Sequence, residues 1–520
     1  MTKRPKPKPP KSEPLRLCFA TAECAPFAKR GGLGDVAAAL TGWLAGRGHD
    51  VRTFLPLYGS IDREAHGLTR HPEVQGVEIE QGPHRLAFDL WTTGSNHSGP
   101  YHFVDCPQLF GGPEVYAGDD SDPPRFGYFC RAVLESCRAL GWSPQVFHSH
   151  DWHAALLPLY ARSLHAGDPG LSAARHLLTL HNVGFQGVTA ASRLPDLGLA
   201  DHAGLFDPAD LAEGKVNLLK AAIATVDFIT TVSPTHAWEI QTADGGVGLD
   251  GLLSQRRHRL AGIVNGIDVE EWDPATDPHL AAHYTVDDLY GKLQCRRTLA
   301  EELGLDYEPG APTAGIVSRL TWQKGFDLLF EPLPEVLAGS DLRLAVLGTG
   351  EEKYEGFFAD LAHRFPGRVA FRREFSEPLA HRIEAGCDLF LMPSRYEPCG
   401  LNQMYSQRYG TLPLVRRTGG LADTVEPYTV DGDGEGDGET GTGFMFEHFT
   451  PEGFRWALDQ ALATWKQRAV WARLMRRAMT RDFSWEKRGE EYMEVYERLA
   501  EARRYNRSVV NRAFCTLPNA

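Results

Sequence analysis

The amino-acid sequence predicts an α/β protein with two doubly wound parallel sheets, and three observations predict it. The chain has 520 residues, whereas a single hydrophobic core stops growing at roughly 250–300 residues, so two large domains are expected. Short apolar runs alternate with amphipathic stretches of helical period, which is typical of βαβ units. The alternation stops in the polar segment 265–274 and then restarts, which places a domain boundary there.

The predicted strands fall into two series, one before and one after that boundary. The first series covers 15–20, 51–55, 101–104, 146–148, 176–180 and 228–232. The second covers 313–317, 342–347, 369–371, 388–392 and 412–415. Helical periodicity favours helices over 33–45, 154–164, 326–337 and 377–385. Doubly wound sheets bind ligands at the carboxyl ends of their strands, so motifs that directly follow a strand are the candidate site residues.

These elements give an N-terminal domain over 15–265 and a C-terminal domain over 266–483. The last segment, 484–520, begins with an amphipathic helix whose apolar side carries Trp485, Tyr492, Val495, Tyr496 and Leu499. Residues 1–14 are basic and proline-rich without the apolar stretch of a secretory signal, and they predict a disordered tail. The acidic, glycine-rich segment 431–443 predicts an exposed loop that lacks the ligand spacing of an EF-hand.

Charge and cysteine content limit the possible functions. The net charge of −14 argues against a general nucleic-acid or membrane-surface binder, because both need a broad basic face. It leaves room for a small anionic substrate, which needs only a few cations. No apolar run approaches the roughly 18 residues of a membrane span. The 9 cysteines are odd in number and include no CxxC pair, which suits reduced thiols, so we expect a cytoplasmic protein.

The first motif is KRGGLGD, residues 29–35, between a predicted strand and a predicted helix. Glycines let the backbone approach a phosphate closely, and a helix N-terminus favours negative charge. The segment from Gly32 to Ala37 also fits the GxGxxA dinucleotide pattern, which leaves an NAD enzyme as an alternative. Against it, about ten residues separate the strand from Gly32, and no acidic residue ends the second strand to bind a ribose.

Histidines follow two further strands of the first series. The segment HSHDWH, residues 148–153, could suggest a metal, but Asp151 reads as a helix N-cap and no further ligand set is evident, so we favour a structural junction. His181, in TLHN, follows the next strand and could donate a hydrogen bond to a sugar hydroxyl or carbonyl. A purely structural role for His181 remains the alternative.

In the second series, the loop after the first strand carries Arg319 and Lys324. Two cations five residues apart can hold both phosphates of a diphosphate and neutralise charge on a departing nucleotide. A solvated pair of surface cations is the alternative.

The segment PSRYEPCGLNQ, residues 393–403, joins a buried strand to a helix predicted to begin near Gly400. Backbone amides at that helix start can hold hydroxyls or an anion. Glu397 lies just before it and could accept hydrogen bonds from a sugar and oppose developing positive charge. Cys399 lacks the base partner that a nucleophilic thiol needs. A second glycine pair follows the next strand in RTGGLAD, residues 417–423.

Together these motifs resemble the bacterial glycogen and starch synthase family of glycosyltransferases. The resemblance rests on their order along the chain, from about residue 15 to 503: KRGGLGD, HDWHA (150–154), TLHN (179–182), TVSP (231–234), NGID (265–268), SRLTWQKG (318–325), PSRYEPCGLNQ and YGTLPLVRRTGGLADTV (409–425).

The resemblance implies the GT-B fold, in which two Rossmann-like domains face a deep cleft and a C-terminal helix crosses back to the N-terminal domain. It implies catalytic roles for His181, Arg319, Lys324 and Glu397. It implies that Lys29, with Gly32 and Asp35 beside it, and the loop of Thr418, Gly419 and Gly420 bind the donor phosphates. It implies that Asn265 and the backbone of Cys399, Gly400 and Leu401 bind the glucose, and that Phe375 contacts the adenine. Neither a metal nor a cofactor is implied.

Four positions depart from the family pattern. Asn402 stands where relatives often carry Thr, and Phe375 where they often carry Tyr. Arg30 adds a charge to the first glycine motif, which often reads KTGGLAD. The second Glu of the Glu-x7-Glu pattern of wider retaining relatives is Tyr405, which leaves Glu397 as the single candidate carboxylate there.

The function expected from the resemblance is transfer of glucose from ADP-glucose to the non-reducing end of an α-1,4-glucan, with retention of configuration and release of ADP. The partners would be ADP-glucose and a glycogen or malto-oligosaccharide acceptor, without nucleic acid or membrane. Three alternatives stay open: preference for UDP-glucose, synthesis of another α-glucan, and a non-catalytic glucan-binding relative. Oligomeric state, acceptor length and regulation are not indicated.

Overall fold

A computed structural model describes residues 13–94, 100–429 and 440–504. The prediction for the basic tail concerns a segment that lies almost wholly outside these ranges. Of the predicted exposed loop 431–443, the structure describes 440–443, and 441–443 are buried rather than exposed, because the segment pairs with the backbone of Tyr428. The chain divides into an N-terminal unit, Met1–Gly266 with Trp485–Ala520, and a C-terminal unit, Ile267–Ser484. The sequence placed the two divisions one residue earlier, at 265/266 and 483/484.

The N-terminal unit is built on one large sheet and one short two-stranded ribbon. Its strands are β1 Arg16–Ala20, β2 Asp50–Pro56, β3 Thr69–Arg70, β4 Val77–Gln81, β5 His84–Thr92, β6 Tyr101–Asp105, β7 Val146–His150, β8 Arg175–Leu180, β9 Val188–Ala190, β10 Lys215–Asn217, β11 Phe228–Thr231 and β12 Leu260–Gly262. The order β12-β11-β8-β7-β1-β2-β6 is parallel throughout. Strands β5, β3 and β4 extend it in antiparallel fashion, and β9 pairs with β10.

The helices of this part of the chain connect the parallel strands. They are α1 Gly32–Gly46, α2 Pro107–Phe110, α3 Asp122–Ala139, α4 Leu156–Arg162, α5 Pro169–Ser172, α6 Pro208–Ala212, α7 Leu218–Thr225, α8 Pro234–Glu239 and α9 Asp250–Gln255.

The C-terminal unit holds a six-stranded sheet in which every neighbouring pair is parallel. Its strands are β13 Thr313–Val317, β14 Arg343–Leu347, β15 Val369–Arg372, β16 Leu389–Met392, β17 Leu412–Arg416 and β18 Phe444–Phe446, in the order β15-β14-β13-β16-β17-β18. Its helices are α10 Tyr290–Leu303, α11 Pro332–Gly339, α12 Glu352–Arg364, α13 Glu377–Gly386, α14 Asn402–Arg408, α15 Gly419–Thr424, α16 Pro451–Lys466 and α17 Arg468–Met479.

Both sheets contain the doubly wound order 3-2-1-4-5-6, counted from the first parallel strand of each unit, and the N-terminal sheet adds a seventh parallel strand, β12, beside the sixth. The order reverses between β1 and β7 in one unit and between β13 and β16 in the other. Open α/β sheets bind their ligands outside the carboxyl ends of the strands at such a reversal, because adjacent loops diverge there and leave a crevice. The predicted fold class, two Rossmann-like parallel-sheet domains, is confirmed.

The final helix, α18 Trp485–Arg504, belongs to the N-terminal unit. Tyr492, Tyr496 and Leu499 are fully buried in a cluster with residues of β1 and α1. Helices α18 and α1 approach each other closely at Gly489 of α18, where an added Cβ would lie 2.4 Å from the indole of Trp43 on α1. None of the helices in the described ranges is long and apolar enough to cross a membrane.

Two predicted helices differ from the structure. The stretch 326–337 is a 3-10 turn, Phe326–Leu329, followed by α11, since Pro332 has no backbone N–H to continue a helical hydrogen-bond ladder and fits the first position of a new helix. The stretch 154–164 is shortened to α4, behind a 3-10 turn at Trp152–Ala154. The antiparallel strands β3–β5 were not predicted, because their alternation of exposed and buried residues gives no apolar run.

Candidate active site

The strand reversal of the C-terminal unit carries an ion pair between two predicted catalytic residues. The loop after β13 supplies Lys324, and the loop after β16 supplies Glu397. Lys324 Nζ donates to Glu397 Oε2 at 2.6 Å, and Ser394 Oγ donates to the same oxygen at 2.9 Å. Glu397 is buried and Lys324 keeps about a fifth of its side chain exposed (20%). A ligand at this crevice therefore meets a carboxylate whose position depends on a lysine.

Glycines bring the backbone of three loops together around this pair. Gly325 follows Lys324 with φ +70°, and a Cβ there would lie 2.1 Å from the carbonyl oxygen of Pro393. Gly419 and Gly420 pack on the Glu397 loop, where added Cβ atoms would lie 2.0 Å from the carbonyl oxygen of Glu397 and 2.2 Å from that of Cys399. Any side chain would push these loops apart. The glycines of both motifs thus serve loop packing.

Side-chain amides fix the segment that follows Glu397. Asn402 Nδ2 donates to the carbonyl of Val317, at the end of β13, at 2.7 Å. Gln403 Nε2 donates to the carbonyls of buried Cys399 (3.1 Å) and of Gly400 (3.0 Å). Leu401 precedes α14, which begins at Asn402 rather than near Gly400. Asn402, one of the departures from the family pattern, therefore ties β13 to the Glu397 loop.

Tyr405, another departure, lies where a second carboxylate would stand in wider relatives. It is buried and stacks on Trp272 with ring centroids 3.7 Å apart. The position is aromatic packing in this chain, and it leaves Glu397 without a second acidic residue eight positions later.

Three other predicted residues of this unit differ in exposure. Arg319 is exposed, and its guanidinium makes no hydrogen bond or ion pair with any described residue. Phe375 is 89% exposed in the loop before α13, so its ring is open to stacking. Thr418 is buried directly before α15. The structure brings Lys324, Glu397, Gly419 and Gly420 together, whereas Arg319 and Phe375 are separate, exposed groups.

In the N-terminal unit, the glycine motif after β1 is arranged by a buried acid, Glu23. Its Oε2 accepts the backbone amides of Arg30 (2.6 Å) and Gly31 (3.0 Å), and its Oε1 accepts the hydroxyl of Tyr116. Lys29 Nζ pairs with Asp35 Oδ1 at 2.7 Å, and both are partly exposed. Gly32 begins α1. Two backbone amides of this motif, those of Arg30 and Gly31, therefore bind the protein's own carboxylate.

His181 lies at the carboxyl end of β8, next to the strand reversal. Its Nε2 is 2.9 Å from His150 Nδ1, which leaves Nδ1 as its other hydrogen-bonding nitrogen. Burial lowers the pKa of His181, so its imidazole is neutral at pH 7. A neutral, half-buried imidazole suits hydrogen bonding to a hydroxyl better than attraction of an anion.

Asp151 connects the ends of β7 and β8 and was not predicted as a site residue. Its side chain does not cap the following turn; instead Oδ1 accepts the backbone amides of His181 (2.7 Å) and Asn182 (3.4 Å). The residue adopts φ 53° and ψ −168°, a region that is essentially reserved for glycine and costs about 1–3 kcal/mol elsewhere. Burial raises the pKa of Asp151 to about 7. The positive φ and the raised pKa make Asp151 a candidate functional residue at this strand end.

The histidines of the HSHDWH motif contact core residues. His148 bonds Tyr496 (2.8 Å) on α18 and Thr179 (2.6 Å) on β8 through its two nitrogens. His153 stacks on Tyr116 with centroids 4.7 Å apart. Asn265, predicted to bind glucose, is buried, and its Oδ1 has no hydrogen-bond partner among the described residues, so it can accept a ligand hydroxyl.

Sequence reasoning missed Glu23, Asp151 and Ser394. Glu23 and Asp151 act through tertiary contacts or backbone geometry, which leave no local sequence pattern, and Ser394 acts on Glu397 within a motif from which only Glu397 and 399–401 were singled out. The available signal was position, since all three follow a strand that borders the reversal of its sheet.

Two protein families match the chain. The starch synthase catalytic domain family matches residues 16–255, and the glycosyl transferases group 1 family matches residues 306–477. The first match lies in the N-terminal unit and the second in the C-terminal unit.

Relatives match over nearly the whole chain. A glycogen synthase of Anaeromyxobacter sp. (strain Fw109-5) is 45% identical over 490 residues, 94% of this chain and 100% of the relative. A glycogen synthase of Koribacter versatilis (strain Ellin345) is 41% identical over 493 residues, 94% of this chain and 99% of the relative. The catalytic domain of starch synthase IV from Arabidopsis thaliana, solved bound to ADP and acarbose, is 35% identical with a TM-score of 0.85, covering 94% of this chain and 100% of that one.

Proposed function

The chain belongs to the glycogen and starch synthase family of glycosyltransferases, and from that premise we propose that it transfers glucose from ADP-glucose to the non-reducing end of an α-1,4-glucan, with retention of configuration. The observation that carries this proposal is the Lys324–Glu397 pair at the strand reversal of the C-terminal unit. The reaction releases a negatively charged diphosphate from a sugar that becomes positively charged. It therefore needs a cation and a carboxylate close together.

One observation favours adenine, and a second supports a nucleotide as leaving group. The relative from Arabidopsis thaliana was solved with ADP. In this chain, the exposed ring of Phe375 offers a flat apolar surface on which a base can stack. Stacking tolerates any base, so UDP-glucose remains the alternative donor and has its own arm in the experiment below.

The bond changes place opposite demands on the two charged residues. The bond between the anomeric carbon and the phosphate oxygen breaks, and the sugar passes through an oxocarbenium-like state. The acceptor hydroxyl attacks from the same face, and the departing phosphate oxygen takes its proton. Lys324 and Arg319 stabilise the negative charge on the leaving diphosphate, and Glu397 opposes the positive charge on the sugar. These cations take the place of a divalent ion, so the transfer itself needs no metal.

The N-terminal unit contributes hydrogen bonding. His181 is neutral, and His150 occupies its Nε2, so Nδ1 is the nitrogen offered to the glucosyl group. Lys29 adds a cation for the donor phosphates, while Asn265 supplies an acceptor. We also propose a cytoplasmic location, which is supported by buried thiols such as Cys18 and Cys130, whose pKa burial raises.

The test is glucose incorporation into glycogen by the full chain, with ADP-glucose and UDP-glucose side by side and a chelator present. We expect α-1,4-linked product from ADP-glucose at a rate well above that from UDP-glucose. Glu397→Gln, prepared identically, controls for a contaminating enzyme. A faster reaction with UDP-glucose would overturn the donor assignment, and no incorporation from either donor would overturn the transferase assignment.

A further inference from the structure

A cluster in the C-terminal unit, distinct from the ion pair described above, brings together Glu271, Glu377 and His381. One carboxylate oxygen of each glutamate and one ring nitrogen of His381 lie within 4.8 Å of one another. Glu377 and His381 stand four residues apart on the first turns of α13, a spacing that places both side chains on one face of a helix. Glu271 comes from the segment that opens this unit, far away in sequence.

His381 is held as metal-binding histidines are held. Its Nδ1 is 2.8 Å from Oδ2 of buried Asp277, and the same oxygen accepts the hydroxyl of Tyr409 at 2.6 Å. A carboxylate on one ring nitrogen fixes the tautomer that leaves the lone pair on the other nitrogen, as in the second shell of zinc sites. Trp272 stacks on the ring with centroids 3.8 Å apart and prevents it from turning.

The other ring nitrogen is the independent observation that points to a ligand. His381 is 1% exposed, and its Nε2 is buried without a hydrogen-bond partner among the described residues. A buried polar atom without a partner costs free energy, about 1–3 kcal/mol, unless something binds to it. Both glutamates are exposed, so an ion can reach the cluster from solvent.

We propose that Glu271, Glu377 and His381 bind one divalent transition-metal ion, with Zn²⁺ as the best fit. Two carboxylates and a neutral imidazole balance the charge of a 2+ ion, and three protein ligands with one water complete a tetrahedral zinc site. The imidazole disfavours Mg²⁺ and Ca²⁺, which prefer oxygen ligands throughout. The ion fastens the segment that carries Glu271 to the start of α13 and so stabilises the C-terminal unit. It does not touch Lys324 or Glu397 and takes no part in glucosyl transfer.

The test measures Zn²⁺ binding and melting temperature on the full chain after chelation and dialysis. We expect one Zn²⁺ per chain, and a rise in Tm of about 5–10 °C when Zn²⁺ is present at a hundred times its Kd. The double variant Glu271→Gln/Glu377→Gln removes two ligands at exposed positions and spares the buried His381, so it should fold and bind Zn²⁺ at least ~10-fold more weakly.

The matched control is Glu270→Gln/Glu374→Gln, which makes the same charge change at two exposed neighbouring positions and should bind Zn²⁺ like the unaltered chain. Binding by histidines or cysteines elsewhere would be equal in all three proteins. The proposal is overturned if the Glu271→Gln/Glu377→Gln chain keeps the full affinity and Tm shift. It is also overturned if the unaltered chain takes up no Zn²⁺, or if Mg²⁺ raises Tm equally.

Discussion

The two units share one strand order but place different chemistry at the point where that order reverses. In the C-terminal unit, the loops after β13 and β16 meet in a charged pair, Lys324 and Glu397. In the N-terminal unit, the loops after β1, β7 and β8 carry Glu23, Asp151 and His181. The Glu23 carboxylate is already bound to backbone amides, and the His181 imidazole is neutral. The C-terminal unit pairs a cation with a buried carboxylate at its strand reversal, whereas the N-terminal unit places buried hydrogen-bonding groups there and keeps its ion pair, Lys29 with Asp35, partly exposed.

This difference shows that strand order fixes where a site lies, but not what it does. The chemistry depends on which loops carry a charged or hydrogen-bonding side chain that can bind a ligand. Lys324 and Glu397 form an ion pair with each other, and a bound substrate can replace either partner. Glu23 is satisfied by its own loop and is therefore a positioning residue.

The largest effect is expected from Lys324→Ala, which tests whether the charge chemistry belongs to the C-terminal unit. Removal of one preorganised electrostatic group costs ~10²–10³ in kcat. Acceptor binding should change little, because Lys324 is proposed to act on the leaving group. The measurement is kcat and the acceptor KM with ADP-glucose. Lys353→Ala, another lysine of this unit that forms an ion pair but is 52% exposed, is the matched control and should keep normal turnover. Near-normal turnover of Lys324→Ala would refute the assignment.

Glu397→Gln should lower kcat by at least ~10², corresponding to about 2.7 kcal/mol, while ADP-glucose binds within a few-fold. Because Glu397 holds Lys324 directly, the two effects should not be independent. The double variant is expected to lose clearly less than the product of the two single losses. Strict multiplication would show that the residues act separately. Parallel loss of Tm and donor affinity would show that Glu397 only anchors its loop, and His181 would then inherit its role.

Leu499→Ala tests a feature of the N-terminal unit that has no counterpart in the C-terminal unit, namely the packing of the chain's last helix against it. Leu499 is fully buried on α18 in the cluster that includes residues of β1 and α1. The truncation should destabilise this unit by about 2–5 kcal/mol. Denaturant unfolding monitored by hydrogen exchange would locate the loss. Glu494→Ala, an exposed position on α18, is the control and should unfold normally. Equal protection in both variants would mean that α18 is dispensable.

Much of the architecture could be predicted from the sequence, because parallel strands buried on both faces read as apolar runs. β13 was predicted to the residue, and β7 needed two more residues than its apolar part suggested. The antiparallel strand β5 could not be predicted in this way, since its buried residues alternate with exposed ones. The broken helix before α11 carried its signal in Pro332, which was read as part of one continuous helix.

The site was predictable where function needs a residue type at a strand end, and not where it needs geometry. The motif order indicated Lys324 and Glu397, but no pattern indicated that they bond to each other, because 73 positions separate them. Asp151 was read as a helix cap from its place in HSHDWH. The backbone at Asp151 turns to positive φ, so its carboxylate reaches the start of the next loop instead. Such a turn is decided by tertiary packing.

Asp151 provides the smallest expected effect, a dependence of stability on pH that originates in the N-terminal unit. Burial raises the pKa of its carboxyl from 3.8 to about 7 in the folded chain. Below the lower value the group is protonated in both states. Between the two values the folded chain holds a proton that the unfolded chain has lost, so stability falls as pH rises. Above about pH 7 the folded chain bears the full cost of a buried negative charge.

Asp151→Asn removes this titration while keeping an oxygen that can accept the amide of His181. The variant should therefore gain Tm relative to the unaltered chain as pH rises from 5 to 8, by at least about 2 °C at 2–4 °C per kcal/mol. The measurement is the Tm of both proteins at each pH in the same buffers, so that other titrating groups cancel. A constant difference would mean that the pKa of Asp151 in the folded chain does not lie near 7. The raised pKa of Asp151 would then be refuted, and this strand end would lose the perturbed carboxyl group that distinguishes it from the ion-paired carboxylate of Glu397.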